Sequence, residues 1–567
     1  MPIIGIDLGT TNSLAAVWRE GRAVLIPNAA GSCLTPSAVS IDEDGTVLVG
    51  QAARDRLVSC PDRSAASFKR WMGKSRQFHL ADRTFTPEEL SALVLRRLKE
   101  DAEAFLGEPV TEAVISVPAY FAEAQRAATK RAGALAGLRV ERLINEPSAA
   151  ALASRLGHEE DETLLVFDFG GGTLDISIVE CFDNVISVIA VSGDDRLGGD
   201  DFDLAIAQGF CRENGLDWES VDKSAQAILL RQAEQCKRGL SQAAAVHMSV
   251  AGEHLSGSMT LTAPKLLELC AGPFSRLRAP VSRAVGDCGL PLSEISAVVP
   301  VGGSCRMPLV RQYLTELLHR PLRDSAGTDT AVALGAAIYA AIKERREELR
   351  EVVLTDICPF TLGTNIIDWA APNGRELLSP IISRNSVLPS SKQRRYVTTA
   401  DGQAKMIFRI YQGEQLYAGD NTLLGQLELP IPRAPKGREG ADVRFTYDIN
   451  ALLEVEATVI STGERHQLLI GRPGGMDERE AQRRLRELSA LKLHPRDQEE
   501  NRALTARIER LFAECAPDLR PFIQQAASRF TAALESQESW KIVRERKEVS
   551  AFLDQIDTDP LDRFRDM

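Results

Sequence analysis

A chain of 567 residues is too long for a single hydrophobic core and is expected to divide into about two to four domains. With 44% hydrophobic and 26% charged residues it has ample apolar material to bury, and a net charge of −12 argues against a constitutive nucleic-acid binder and against adsorption on anionic membranes. The ten cysteines show no C-x-x-C pair, no apolar run approaches membrane-spanning length, and Met1-Pro2-Ile3-Ile4 carries no basic leader, so a soluble, cytoplasmic protein with reduced thiols and no membrane insertion is expected.

The chain opens with the apolar strand Ile3-Ile4-Gly5-Ile6, closed by Asp7 and followed by Leu8, Gly9, Thr10, Thr11, Asn12 and Ser13. Lys69 lies in the amphipathic stretch Ser67 to Gly73, where a lone lysine ordinarily belongs to a solvated face. Helical periodicity runs from Glu88 to Phe105, with Leu90, Leu93, Val94 and Leu98 on one face. The strand Ala113 to Val117 ends at Pro118, and a helix is expected from Glu123 to Ala136. Glu146 precedes the Ala-rich stretch Pro147 to Ala153, where it could simply serve a helix N-terminus.

A second strand, Leu164 to Phe167, ends in Asp168 and leads into Phe169, Gly170, Gly171, Gly172, Thr173, Leu174 and Asp175. Successive glycine amides can form an anion-binding nest, and an aspartate beside it suits Mg²⁺, although a triple glycine between strands is also an ordinary hairpin. Leu197 to Phe202 starts a helix, and another runs from Ser224 to Ser241 carrying Glu234, Lys237, Arg238 and Ser241; an intrahelical ion pair accounts equally well for the first and third. Short strands are expected near 247–250 and 258–262, then a helix from Pro264 to about Val285. Gly302, Gly303, Ser304, Cys305 and Arg306 form another strand-glycine-helix turn, and Asp329 opens an Ala-rich helix.

Composition then shifts. Lys343 to Glu351 is almost wholly charged, and Val352, Val353 and Leu354 follow as an apolar patch that either begins the next domain or docks in one conformational state. Short alternating runs from Cys358 to Ile470, punctuated by turn residues, read as an antiparallel sandwich. From Asp477 the chain becomes helical and charged, and Asp557 to Met567 looks like a frayed end.

The strand-aspartate-glycine pattern occurs twice, and each copy is followed by a strand, a helix and an Ala-rich stretch. Two related halves facing across a cleft would clamp a nucleotide between paired phosphate loops.

Together these motifs resemble the DnaK-type, seventy-kilodalton heat-shock chaperone family over nearly the whole chain. The likeness rests on Ile-Asp-Leu-Gly-Thr-Thr-Asn-Ser at 6–13, Val-Pro-Ala-Tyr-Phe at 117–121, Asn-Glu-Pro-Ser-Ala-Ala at 145–150, Asp-Phe-Gly-Gly-Gly-Thr at 168–173 and Leu-Gly-Gly-Asp-Asp-Phe-Asp at 197–203. Within the family the chain looks most like the bacterial HscC branch, on Leu354 to Pro359, on Leu488 to Lys492 and on a short C-terminus. The resemblance implies a multidomain protein: an actin-like α/β ATPase domain of two related halves at 1–348, a linker at 349–356, an antiparallel β-sandwich that binds peptides at 357–472, a short α-helical lid at 473–556 and a tail at 557–567.

It also implies roles. Gly9, Thr10, Thr11, Asn12 and Gly170 to Gly172 hold the phosphates of ATP or ADP, while Asp7, Asp168 and Glu146 organise hydrated Mg²⁺, with K⁺ as a candidate second cation. Lys69, Glu146, Thr173 and Asp175 serve slow hydrolysis; Gly199, Glu234, Lys237, Arg238, Ser241, Gly302, Gly303, Ser304, Arg306 and Asp329 frame the nucleotide. The peptide site falls at Ile366, Ile367, Thr399 and Met406, and coupling between domains at Pro118, Arg126, Val353, Leu354 and Asp356. Arg142 and Asn145 match the surface where family members take a J-domain co-chaperone, and unfolded or extended client peptides are the other implied partners of the chain. An abbreviated segment from Asp203 to Pro264 leaves the need for an exchange factor open, and Asn450-Ala451 replaces a longer acidic turn. The competing readings are a small-molecule kinase or filament protein of the actin-like fold, an exchange-factor relative that does not turn ATP over, and a nucleotide-sensing binding protein without peptide coupling.

Overall fold

The computed structural model describes residues 2–155, 161–182, 185–251, 256–323, 327, 329–344, 349, 352–367, 375–449, 452–471, 495–514 and 519–556. The chain divides into two units, one built in the main from residues up to Phe360 and the other from Thr361 onward. The turn at Asn450-Ala451, the stretch Leu488 to Lys492 at the start of the expected lid, and the tail 557–567 lie outside the described residues.

The first unit holds two mixed sheets of one plan. In one, Ile3–Asp7 lies between a parallel neighbour, Glu112–Val117, and an antiparallel one, Asn12–Arg19; Arg22–Ile26 and Arg139–Asn145 flank these. In the other, Glu162–Phe169 lies between parallel Ala297–Val301 and antiparallel Leu174–Phe182, with Val185–Asp194 beyond. The repeat seen in the sequence is therefore a repeat of topology, with Asp7 ending the first central strand and Asp168 next to last in the second. Both central strands are covered on both faces, which is why they read as continuous apolar runs: Ile4, Ile6, Leu165, Val166 and Phe167 are fully buried.

The two Ala-rich stretches form helices Glu146–Arg155 and Ala331–Lys343. They touch backbone to backbone, since a β-carbon built on Gly335 would fall 1.8 Å from the carbonyl oxygen of Ala149. Small side chains are what permit that approach. Asp329 lies in the turn before the second of these helices.

The apolar tether is a strand. Val353–Ile357 pairs in parallel with Val185–Asp194, placing Leu354 opposite Ile186 and Thr355 opposite Ser187, whose hydroxyls are 2.8 Å apart. Leu354 packs against the core of the first unit, and Val353 is 49% exposed.

One expected helix is divided. Pro264 to Val285 becomes Ala263–Leu269 and Ala271–Cys288, separated at Cys270. Pro273 has no N–H to bond the carbonyl of Leu269, so it suits the first turn of a new helix and not the interior of a continuous one.

The second unit begins with two four-stranded antiparallel sheets. One has the order Glu376–Ile382, Leu362–Ile367, Lys405–Gln412, Thr422–Pro430; the other Ser390–Val397, Gly440–Tyr447, Leu453–Val459, Arg465–Ile470. Helices Glu499–Glu514, Arg520–Ser536 and Ser539–Ile556 follow around their own core, which includes Leu504, Ile508, Ile523, Phe530, Val549 and Leu553. Gln537, between the last two helices, lays its carboxamide along the edge strand Ser390–Val397. It accepts from the amide of Gln393 at 3.1 Å and donates to the carbonyl of Gln393 at 2.9 Å, completing one rung of a ladder that the edge would otherwise leave open.

Candidate functional site

The two aspartate-led turns face each other. A β-carbon built on Gly171 would fall 2.0 Å from Thr11 Oγ1, and one on Gly172 would fall 2.6 Å from Thr10 Cγ2, so only glycines let the loops approach this closely. The hairpin geometry of the second turn, with Asp168 directly opposite Asp175 across adjacent strands, brings a second carboxylate beside the first.

Between the loops stands Lys69. Its Nζ donates to Glu146 Oε1 at 2.6 Å, and both side chains are buried. Burial works against the ammonium, but Glu146 and Asp7 outweigh it and hold the Lys69 pKa above the ordinary lysine value. Ser116 donates to Asp7 Oδ1 at 2.9 Å, and the Tyr120 amide donates to Asp175 Oδ1 at 3.0 Å. Burial first, then repulsion from Glu146, pushes Asp7 and Asp175 each up to about 7. Asp168 is raised well above the usual carboxylate range by burial and by Glu146, Asp175 and Asp7.

Four carboxylates thus share one ammonium. Oxygen donors in excess of local positive charge fit a hard divalent cation such as Mg²⁺. Among the described residues no three His, Cys, Asp or Glu side chains converge as metal ligands.

The remaining residues expected to frame a nucleotide lie on the second half of the unit. Ser304 donates to the carbonyl of Gly170 at 2.8 Å, tying the Gly302–Gly303 turn to the Gly170–Gly172 turn. Lys237 reaches the carbonyl of Gly199 and Asp203 Oδ2, both at 2.8 Å, and burial pushes Asp203 up to about 7. Arg306 pairs with Asp329. Glu234 receives a two-point bond from Arg54 at 2.8 and 2.9 Å, whereas its i+4 neighbour Arg238 stands 3.5 Å away. Arg54 was not singled out in the sequence because its partner lies 180 residues away. Ser241 ends this helix by donating its amide to the carbonyl of Arg238.

A second cluster links the site to the tether strand. Arg126 donates to the carbonyls of Phe121 and Ala119, at 3.0 and 3.2 Å, and to Asn145 Oδ1 at 2.6 Å; Asn145 in turn donates to Asp356. Burial raises the Asp356 carboxyl, opposed by Arg126 and Asn145. Arg142 hydrogen-bonds Tyr339. The ring of Tyr120, whose amide holds Asp175, lies 4.4 Å from the ring of Phe360, centroid to centroid; nothing in the sequence marked that pair. Pro118 closes the strand whose Ser116 holds Asp7.

In the second unit the four expected peptide-site residues occupy different environments. Ile366 and Ile367 end a strand at 37% and 36% exposure, Met406 is buried, and Thr399 bonds Gln403 through both its amide and its hydroxyl.

None of the nine cysteines among the described residues is in a disulfide. No helix among them is long and apolar enough to cross a membrane. A profile of the family described as Hsp70 protein matches residues 3–80 and 75–558 of the chain.

Proposed function

Because this chain belongs to the Hsp70 protein family, a family of ATP-dependent chaperones, we propose that it binds extended apolar segments of client proteins and that ATP binding and hydrolysis switch its affinity for them. The observation that carries this reading is the pair of apposed aspartate-glycine turns with Lys69 held among four carboxylates.

Phosphoryl transfer to water asks little covalent chemistry of a protein; it asks for position and charge. The amides of Gly170 to Gly172 and the hydroxyls of Thr10 and Thr11 cradle the phosphates. Lys69 offsets charge on the γ-phosphate, while Glu146, Thr173 and Asp175 orient the attacking water. Asp175 is kept in place by the amide of Tyr120. When bound, Mg²⁺ neutralises phosphate oxygens, with Asp7, Asp168 and Glu146 holding its water shell and K⁺ as a second cation on the family resemblance. Lys237, Glu234, Arg238, Ser241, Ser304 and Arg306 receive the nucleoside.

The second unit is the peptide-binding part in this reading, recognising main chain by strand addition at Ile366, Ile367, Thr399 and Met406. The tether strand Val353–Ile357 is the coupling element, with Pro118, Arg126 and Asp356 relaying the state of the site. Arg142 and Asn145 offer a J-domain surface. The mostly buried thiols, none in a disulfide among the described residues, support a reducing compartment such as the cytoplasm, and Leu354 to Pro359 favour the HscC branch. A small-molecule kinase is not favoured, because the family match continues through the second unit to residue 558.

The test is turnover of radiolabelled ATP by the purified chain. Mg²⁺-dependent release of inorganic phosphate to water supports the reading. No release with Mg²⁺, or transfer only to a small-molecule acceptor, contradicts it.

A further inference from the structure

Two segments, Ser67–Lys74 on the first half of the unit and Asp194–Asp201 on the second, are fastened to each other across the phosphate end of the cleft. Ser67 Oγ donates to Asp200 Oδ2 at 2.7 Å. The Arg70 guanidinium reaches both oxygens of Asp201 at 3.0 and 3.1 Å and the carbonyl of Arg196 at 2.8 Å. Lys74 Nζ reaches Asp195 Oδ2 at 3.1 Å, and the Arg196 guanidinium stands 6.0 Å from the Trp71 ring.

The first segment is anchored from behind. Phe68 and Met72 are buried in the core of the first half, so the residues between and beside them are the ones that face the cleft. Ser67 sits in the left-handed backbone region, with φ of 54°, a strained position for a non-glycine residue that its contacts must hold. The second segment is tied to the phosphate loop: the amides of Gly199 and Asp200 donate to the carbonyls of Gly170 and Gly171 at 3.0 and 2.8 Å. Asp201 also accepts the amide of Gly198 at 2.8 Å, fixing the start of the helix Gly199–Glu213.

Arg70 therefore does two things at once. Its head joins the halves, and its stem lies on the glycine loop: a β-carbon built on Gly172 would fall 2.8 Å from Arg70 Cγ and 2.9 Å from its Cδ. The preceding residue, Lys69, points to the opposite side, into the carboxylate cluster. One residue contacts the interior of the phosphate site and the next closes its exterior. The Arg54–Glu234 pair fastens the same two halves elsewhere, on the helix that carries Lys237.

Resting on the ATPase reading above, we propose that the Arg70–Asp201 pair is a gate for inorganic phosphate. Closed, it retains the cleaved phosphate against Gly170 to Gly172 and Lys69. Opening frees the guanidinium, whose planar fork matches phosphate as well as it matches a carboxylate, so Arg70 exchanges Asp201 for the departing anion and carries it outward. The pair's side chains are 19% and 21% exposed, and neither residue belongs to the hydrophobic core.

The experiment is a single turnover of MgATP by the full chain, with bond cleavage followed by acid quench and free phosphate followed by a fluorescent phosphate sensor. In Arg70→Gln and Asp201→Asn, cleavage stays within about threefold of the unaltered chain while phosphate release accelerates about tenfold. The exchanged pair, Arg70→Asp with Asp201→Arg, restores slow release. Release that follows cleavage in every variant, or an exchange that fails to slow it, overturns the gate. No cleavage in the unaltered chain overturns the ATPase reading itself, and the gate with it.

Discussion

Lys69 Nζ stands 2.6 Å from Glu146 Oε1, and the two side chains are only 5% and 8% exposed. It is the single ammonium against Asp7, Glu146, Asp168 and Asp175. Replacing Lys69 by Ala removes a stabiliser of developing charge and leaves Glu146 uncompensated. Single-turnover hydrolysis should slow by about 10²–10³-fold. The nucleotide-free protein should lose about 3–5 kcal/mol, the usual cost of breaking a buried pair, and regain part of it with Mg²⁺. Denaturant titrations with and without Mg²⁺ check the second outcome.

The nucleotide-free protein should be more stable in mild acid. Burial pushes Asp203 up to about 7 despite Lys237, and Asp7 and Asp175 to about 7 despite Lys69. With folded values above the ordinary 3.8, these groups take up protons more readily in the folded state than in the unfolded chain. Their contribution is fully present below about pH 4 and is lost as the pH rises through about 7. The melting temperature should fall between about pH 5.5 and pH 8, and Asp203→Asn should flatten part of that slope. A melting temperature that rises over the same range contradicts the assignment.

Gly335 is required by the helix crossing. A β-carbon there meets the Ala149 carbonyl at 1.8 Å, so Gly335→Ala forces the helices Glu146–Arg155 and Ala331–Lys343 apart. The expected cost is about 1–3 kcal/mol, read as a lower denaturant midpoint at unchanged slope.

Gln537 closes one rung of an open sheet edge. Gln537→Ala leaves the Gln393 amide to solvent, and its hydrogen exchange should speed up about tenfold while the amides of Gly440–Tyr447, inside the same sheet, keep their protection.

Leu354→Asp puts a charge where the tether strand packs on the core of the first unit. Basal hydrolysis should stay within about threefold, and stimulation of hydrolysis by peptide should disappear. Stimulation that survives would remove the strand from the coupling route.

The two apposed aspartate-glycine turns were legible because their signals are local: an apolar run, an aspartate near its end, glycines at the turn. The repeat was legible because both halves keep the same strand and helix order. What escaped was contact over distance. The i+4 spacing of Glu234 and Arg238 is visible in a sequence, yet Glu234 bonds Arg54, 180 residues away, more closely. Nothing in the sequence singles out Arg70, because nothing local reveals that Gly172 lies beneath its stem. The split at Cys270 was missed because helical periodicity runs through it, although Pro273 carried the signal. The proposed peptide-site residues Ile366, Thr399 and Met406 come from separate turns and strands, so no spacing rule in the sequence ties them together.

Coupling between nucleotide and peptide is tested most directly by the dissociation rate of a fluorescent, extended apolar peptide from the purified chain in ATP and in ADP. ATP should accelerate release by at least about tenfold, a lowering of the dissociation barrier by about 1.4 kcal/mol. Release at one rate in both nucleotides would contradict the account and leave a nucleotide-binding protein whose second unit answers to something other than ATP.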